Sequence, residues 1–229
     1  MILSYTLDNL LVSGEPLKVG IIKAESFIGE SQSQQVLSSM RKASSSGYDI
    51  LVAPEYSFSL SYCGPLSDSQ LQQYLEEFKQ LSAAKDLLFI PGTFLWEQEQ
   101  KLRNSSVVFY DGKIIHQQDK IRNGGEVAIA GSYELQYQPG SDLQTFEWKE
   151  LKIGIEICAD VGSLAEAGVA DADLVFLVSS GESNLPESMK AVHKNGYGVL
   201  ADGLNQLYFA GNQGQVEQRW RALKERRMA

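Results

Sequence analysis

The chain has 229 residues, is 43% hydrophobic and carries a formal charge of −9. That is enough apolar material for one core burying roughly 70% of the unfolded surface, and it argues against a disordered chain. The acidic balance disfavours nucleic acid and anionic membrane as partners, and two cysteines are too few for a disulfide framework.

The opening "MILSYTLDNLLVSGEPLKVG" holds acids where an export signal needs positive charge, and its apolar residues are broken up. No run of 18 apolar residues follows, so we expect neither export nor a membrane span and place the protein in the cytoplasm. "KVGIIKA" (Lys18 to Ala24) reads as the first strand. In the next segment Val36, Leu37, Met40 and Ala43 recur at helical spacing, with Gly47 closing the helix. "YDILVAPE" is an apolar run of the kind buried on both faces of a sheet. A second helix carries Leu71, Tyr74, Leu75, Phe78 and Leu81 as its stripe, capped by Ser67 or Asp68. "LLFIPGTF" is the next strand. "SSVVFYDGKIIHQ" reads as a hairpin turning at Asp111-Gly112, and "LQTFEWKELKIGIEIC" as a second one turning at Lys149-Glu150.

Further on, "GSLAEAGVADA" suits a short helix, "DLVFLVSS" a strand, "PESMKAVHKNG" a helix, and "YGVLAD" and "QLYFAG" the last strands. Val216, Trp220 and Leu223 suit a basic terminal helix over about 215–227, packed on the body or at a subunit seam, with a binding tail as the alternative. Strands alternating with helices, with hairpins inserted, predict one α/β domain over 1–229, its mixed sheet or pair of sheets covered by helices.

Such folds carry chemistry where strands end. Glu55 ends an apolar run, where a free carboxylate is costly unless paired. Lys120 follows the first hairpin and Cys158 ends "IGIEI". If the three converge, the ammonium favours a thiolate and then an oxyanion, while the carboxylate takes the thiol proton. Cys63 has no activating partner in "SLSYCGPL". His193 is a candidate for a Cys-His pair, although its helical setting favours a structural role. Two cysteines and the two histidines, His116 and His193, lie too far apart in sequence for a metal site. No glycine-rich phosphate loop occurs, so no cofactor is expected.

These residues carry a resemblance. "LVAPEYSF" with Glu55, "YDGKIIHQQDK" with Lys120 and "GIEICAD" with Cys158 stand in the order and spacing of the nitrilase, or carbon–nitrogen hydrolase, superfamily. The chain resembles that family from about Lys18 to Ala210. The resemblance implies a four-layer αββα sandwich of two mixed β-sheets covered by helices, often paired into a homodimer or higher homo-oligomer. It also implies a general base at Glu55, a nucleophile at Cys158, an oxyanion donor at Lys120, and a second glutamate holding Lys120. Glu134, before Pro139-Gly140, is the match for that glutamate. Asp160 would hold the turn after the nucleophile. Tyr56, Phe58, Ser179 and Ser180 follow strand ends near the presumed site and are expected to shape the substrate pocket, with aromatic core packing an equal reading for Phe58. The implied enzyme is an amidase-like hydrolase acting on a small amide, carbamoyl compound or nitrile without cofactor or metal. A catalytically silent scaffold and an acyltransferase are the alternatives.

Overall fold

The computed structural model describes residues 1–23, 30–60, 64–83, 85–182 and 184–228, and Cys63 lies outside them. The chain opens with a strand the sequence did not announce. β1 (Ile2–Val12) turns at Ser13-Gly14 into antiparallel β2 (Glu15–Ile22). Then come α1 (Glu30–Ala43), β3 (Ile50–Val52) and α2 (Asp68–Ser82). Ser67 is the cap of α2: its hydroxyl accepts the Gln70 N–H, and the Gln70 side chain accepts the Ser67 N–H in return.

β4 (Leu88–Ile90) and β5 (Phe94–Gln98) divide what reads in sequence as one strand. β6 (Lys101–Tyr110) and β7 (Lys113–Asp119) form the Asp111-Gly112 hairpin. Both turn residues have positive φ, 48° and 74°, which is the geometry a two-residue turn needs to follow the strand twist. A short helix, α3 (Glu126–Ser132), and β8 (Gln136–Tyr137) complete the first sheet. Its order is β1-β2-β3-β4-β6-β5, with β7 and β8 also pairing with the long β6.

The second sheet runs β13-β12-β11-β10-β9. β9 (Phe146–Trp148) and β10 (Leu151–Ile157) make the expected hairpin through Lys149-Glu150, again with positive φ at both residues. After α4 (Ser163–Glu166), β11 (Ala172–Ser179) lies parallel to β10. The helix expected over "PESMKAVHKNG" is only α5 (Leu185–Ser188) and a 3-10 turn to Ala191. β12 (Val192–Asp202) takes up the rest, parallel to β11, and β13 (Leu207–Asn212) returns antiparallel. The helix ends early because Val192 and Tyr197 to Ala201 can bury in the sheet, and that burial outweighs local helical spacing. The chain then enters α6 (Gln213–Met228).

The two sheets stack face to face. Val19, Ile21, Ile50, Val52, Leu88 and Ile90 of the first meet Ile153, Ile155, Ile157, Leu174 and Phe176 of the second in one core. The outer face of the first sheet packs Leu51, Phe89 and Phe109 on Leu37, Met40 and Phe78 of α1 and α2. The outer face of the second packs Val175, Leu177 and Leu200 on Leu164, Leu185 and Val216 of α4, α5 and α6. This is an αββα sandwich. β1 ties its two sheets at one edge: the Tyr5 hydroxyl donates to the Tyr208 carbonyl at 2.9 Å, and the Asn9 N–H to the Tyr197 hydroxyl. Among the described residues no helix is long and apolar enough to cross a membrane.

Candidate active site

Three strand ends meet at one rim of the sandwich. Glu55 follows β3 after Ala53-Pro54 and is fully buried. Its Oε1 accepts hydrogen bonds from Lys120 Nζ at 2.8 Å and from Asn104 Nδ2 at 2.9 Å, while Oε2 is buried with no N–H or O–H donor, and the Cys158 thiol faces the carboxylate. Burial raises the Glu55 pKa above the ordinary carboxylate value, against the pull of Lys120.

Lys120 leaves the end of β7 held by its own backbone. Its N–H donates to the Asn104 carbonyl, and its carbonyl accepts the Gly140 N–H and the Tyr137 hydroxyl. Its side chain is wholly enclosed. Burial works to discharge the ammonium, but the Glu55 and Glu126 carboxylates outweigh it and hold the pKa above the ordinary lysine value. Gly124 gives this side chain its room, since a Cβ there would stand 2.8 Å from Lys120 Nζ.

The second carboxylate on Lys120 is Glu126. This corrects the expectation for Glu134, which is exposed on the turn after α3. Glu126 starts α3, and its Oε1 accepts from Lys120 Nζ at 2.6 Å, the Tyr56 hydroxyl at 2.6 Å and Asn104 Nδ2 at 3.0 Å. Its Oε2 accepts the Gly124 N–H at 2.7 Å. Burial pushes its pKa up, but Lys120 and the Tyr56 and Gly124 donors more than reverse that and leave it lowered. The seven residues of α3 then carry the chain to the surface, which is where residue 134 lies.

Cys158 follows β10 at the start of a 3-10 turn through Asp160, with φ of +48°. A non-glycine residue held in that region is strained, and such strain gathers at functional sites. The sulfur is partly buried. Burial and the Glu55 charge push the thiol pKa up to about 12, against Lys120, the Ser180 backbone N–H and the Ser179 hydroxyl. Cys158 is therefore a thiol at rest, not the preformed thiolate that the ammonium alone would favour. Ser179 and Ser180, at and just past the end of β11, thus border the sulfur.

Two acids brace this turn. Asp160 is buried and accepts the N–H groups of Ile121 and Arg122, the residues after Lys120. It latches the lysine loop to the cysteine turn rather than holding its own turn as expected. Burial raises its pKa to about 6 against those bonds. Glu156, two residues before Cys158, points to the other face of β10. There it accepts the Gly162 and Leu164 N–H groups and the Ser188 hydroxyl. Burial raises its pKa against these donors.

Tyr56 stands beside the site with φ of +56°, its hydroxyl on Glu126. Phe58 does not border the site. It is enclosed behind the first sheet, stacked on Phe94 at 4.8 Å and edge-on to Tyr74 and Phe78. His193 begins β12 and bonds Asp173 at 2.8 Å. Because β10, β11 and β12 run parallel, their starts lie opposite the rim where Cys158 follows the end of β10. Among the described residues no Cys-His pair forms. Among the described residues no cluster of three or more His, Cys, Asp or Glu side chains is placed to hold a metal.

Sequence reading missed Glu126, Asn104 and Glu156. "NGGEV" carries a helix-start signal, and the Asn123 side chain does accept the Gly125 and Val127 N–H groups. Asn104 is a polar residue inside a buried strand, which marks it as bonded.

Fold and site together define a nitrilase-type αββα sandwich with a buried Glu–Lys–Glu cluster beside a cysteine. The sequence itself matches no protein-family model and no curated protein. Solved structures that share the fold include an amidase of the nitrilase superfamily from Nesterenkonia AN1, 14% identical over 93% of this chain and 97% of that one, with a TM-score of 0.64. The same amidase has been solved with acrylamide added to its active-site cysteine, matching 86% of this chain and 89% of that one. The glutamine-dependent NAD+ synthetase of Acinetobacter baumannii also matches, 20% identical, over 86% of this chain but 43% of its own, with a TM-score of 0.59. At these identities the likeness is one of fold.

Proposed function

We propose that the protein is a cysteine-dependent hydrolase cleaving the non-peptide C–N bond of a small linear amide or carbamoyl compound. The observation that carries this reading is the buried contact of Lys120 with Glu55 at 2.8 Å beside Cys158. A fully enclosed ion pair contributes little net stability, so its place beside a strained cysteine supports a chemical role.

In this mechanism Glu55 takes the Cys158 proton as the sulfur attacks the carbonyl carbon. Because burial keeps the thiol protonated at rest, the proton passes to Glu55 as the sulfur attacks. Lys120 and the backbone N–H after Cys158 hold the oxyanion. Glu55 then returns the proton to the leaving amine, and a thioester remains on Cys158. Water, deprotonated by Glu55, attacks the thioester, releasing the acid and restoring the thiol. Glu126 keeps Lys120 charged and in place through both halves. Water arriving at the thioester gives a hydrolase, and an amine arriving first gives an acyltransferase.

The reading is of a cytoplasmic homodimer or larger homo-oligomer, which light scattering checks. The function itself is tested by incubating the protein with primary amides, carbamoyl amino acids and nitriles while measuring released ammonia. Intact-mass detection of an acyl adduct follows the thioester. Release by the native chain and none by Cys158→Ala supports the reading. Release that persists in Cys158→Ala, or no release and no adduct from any compound, sinks it.

A further inference from the structure

Asn104 lies on β6 with 1% of its surface exposed. Its side-chain amide donates to Oε1 of Glu55 and to Oε1 of Glu126, at 2.9 and 3.0 Å. The orientation of the amide follows from chemistry, because the reverse flip would face its oxygen toward two carboxylate oxygens. The same two oxygens are also joined by Lys120 Nζ. Glu55 and Glu126 are thus bridged twice, once by a cation and once by a neutral group, and both bridges use Oε1. The oxygen of Glu55 left over is Oε2, buried with no N–H or O–H donor, and the Cys158 thiol faces the carboxylate.

We propose that Asn104 is a positioning residue for the proton transfer: it locks Glu55 so that Oε2 alone is free to receive the Cys158 proton. The inference rests on the base role of Glu55. Lys120 cannot provide this lock by itself. Its ammonium divides its three donors among Glu55, Glu126 and, in the mechanism, the oxyanion as that charge develops. While it does so, the Asn104 amide still holds Glu55 Oε1. The Lys120 N–H donates to the Asn104 carbonyl at 2.8 Å, so one residue sets the placement of base and cation together.

The test reads the rate of Cys158 alkylation by iodoacetamide against pH, with thermal unfolding measured alongside. The groups facing Glu55 are Lys120 at the end of β7, Glu126 at the start of α3, Cys158 after β10, the adjacent Tyr56, and Tyr137 on β8. In the native chain the rate falls on the acid side as Glu55 takes a proton. Asn104→Leu removes a donor to the ionised carboxylate and moves that limb up by roughly one pH unit, about a tenfold slower reaction on the acid side. Asn104→Ser keeps one donor and falls between, and it carries the comparison if Asn104→Leu does not fold. Glu55→Gln abolishes the Glu55 limb and leaves only the rise that follows ionisation of the thiol itself, at more alkaline pH. Asn104 variants whose profiles overlay the native one, while Glu55→Gln displaces the limb in this way, overturn the inference and leave the base role standing. A limb that stays at its native position in Glu55→Gln overturns both.

Discussion

Glu55 and Glu156 are both enclosed carboxylates near the ends of sheet strands, yet their surroundings differ in kind. Glu156 bonds through both oxygens, to two backbone N–H groups and the Ser188 hydroxyl, and so fixes the start of α4 and its contact with α5. Glu55 places two donors on one oxygen, one of them a cation, and leaves the other oxygen with no N–H or O–H donor in a buried site beside the thiol. A carboxylate with every acceptor used is a brace. One kept partly unsatisfied next to a thiol has proton affinity to spare, and its burial cost is met by the surrounding fold.

Substitution should separate the two. Glu55→Gln should lower turnover of an identified amide by about a hundredfold to ten-thousandfold, the range of general-base contributions, with little loss of secondary structure. Native-like turnover would place Glu55 with the braces. Lys120→Met removes the proposed oxyanion donor and strands two carboxylates. It should cost roughly a hundredfold to a thousandfold in turnover and about 3–5 kcal/mol in denaturant unfolding. Glu156→Gln should behave in the opposite way, losing about 1–3 kcal/mol of stability while leaving the pH profile of Cys158 alkylation where it was. A moved profile would make Glu156 part of the chemistry.

Two smaller effects lie outside both acids. Burial lowers the His116 pKa to about 4, its ring stacked on Phe146 at 4.6 Å. The folded chain therefore binds fewer protons than the unfolded one between that value and the ordinary histidine pKa. Stability from this site is complete above about pH 6.5 and falls as the pH drops toward 4. His116→Phe should flatten that part of the stability–pH curve, and an unchanged slope would refute the assignment. Smallest of all, Glu150 sits exposed at a φ of +66° in the β9–β10 turn. Glu150→Gly should raise the unfolding free energy by about 1 kcal/mol without touching the site.

Where the candidate site was legible, local signals agreed with global packing. "ILVAPE" and "IGIEIC" are apolar runs stopped by one ionisable side chain, and they do end at the rim. Asp111-Gly112 announces its hairpin. What stayed hidden was hidden for physical reasons. The turn at Glu99-Gln100 has φ of 51° and 61° without a glycine or asparagine to signal it. Glu134 fitted by distance from Pro139-Gly140, but α3 moves the useful carboxylate to its first residue. Val192 to Asp202 is strand because the neighbouring β11 is there to pair with it, which no local window records. β1 was missed because an edge strand needs only Leu7, Leu10 and Val12 buried, too sparse a pattern to read.

The seam between Tyr5 and Tyr208 joins residues 203 positions apart. Such a contact can form only when nearly all the intervening chain is available, so it belongs among the late steps of folding. A ribosome-bound chain lacking β13 would hold β1 without this support, and the edge of the sandwich would close only after synthesis has passed residue 208.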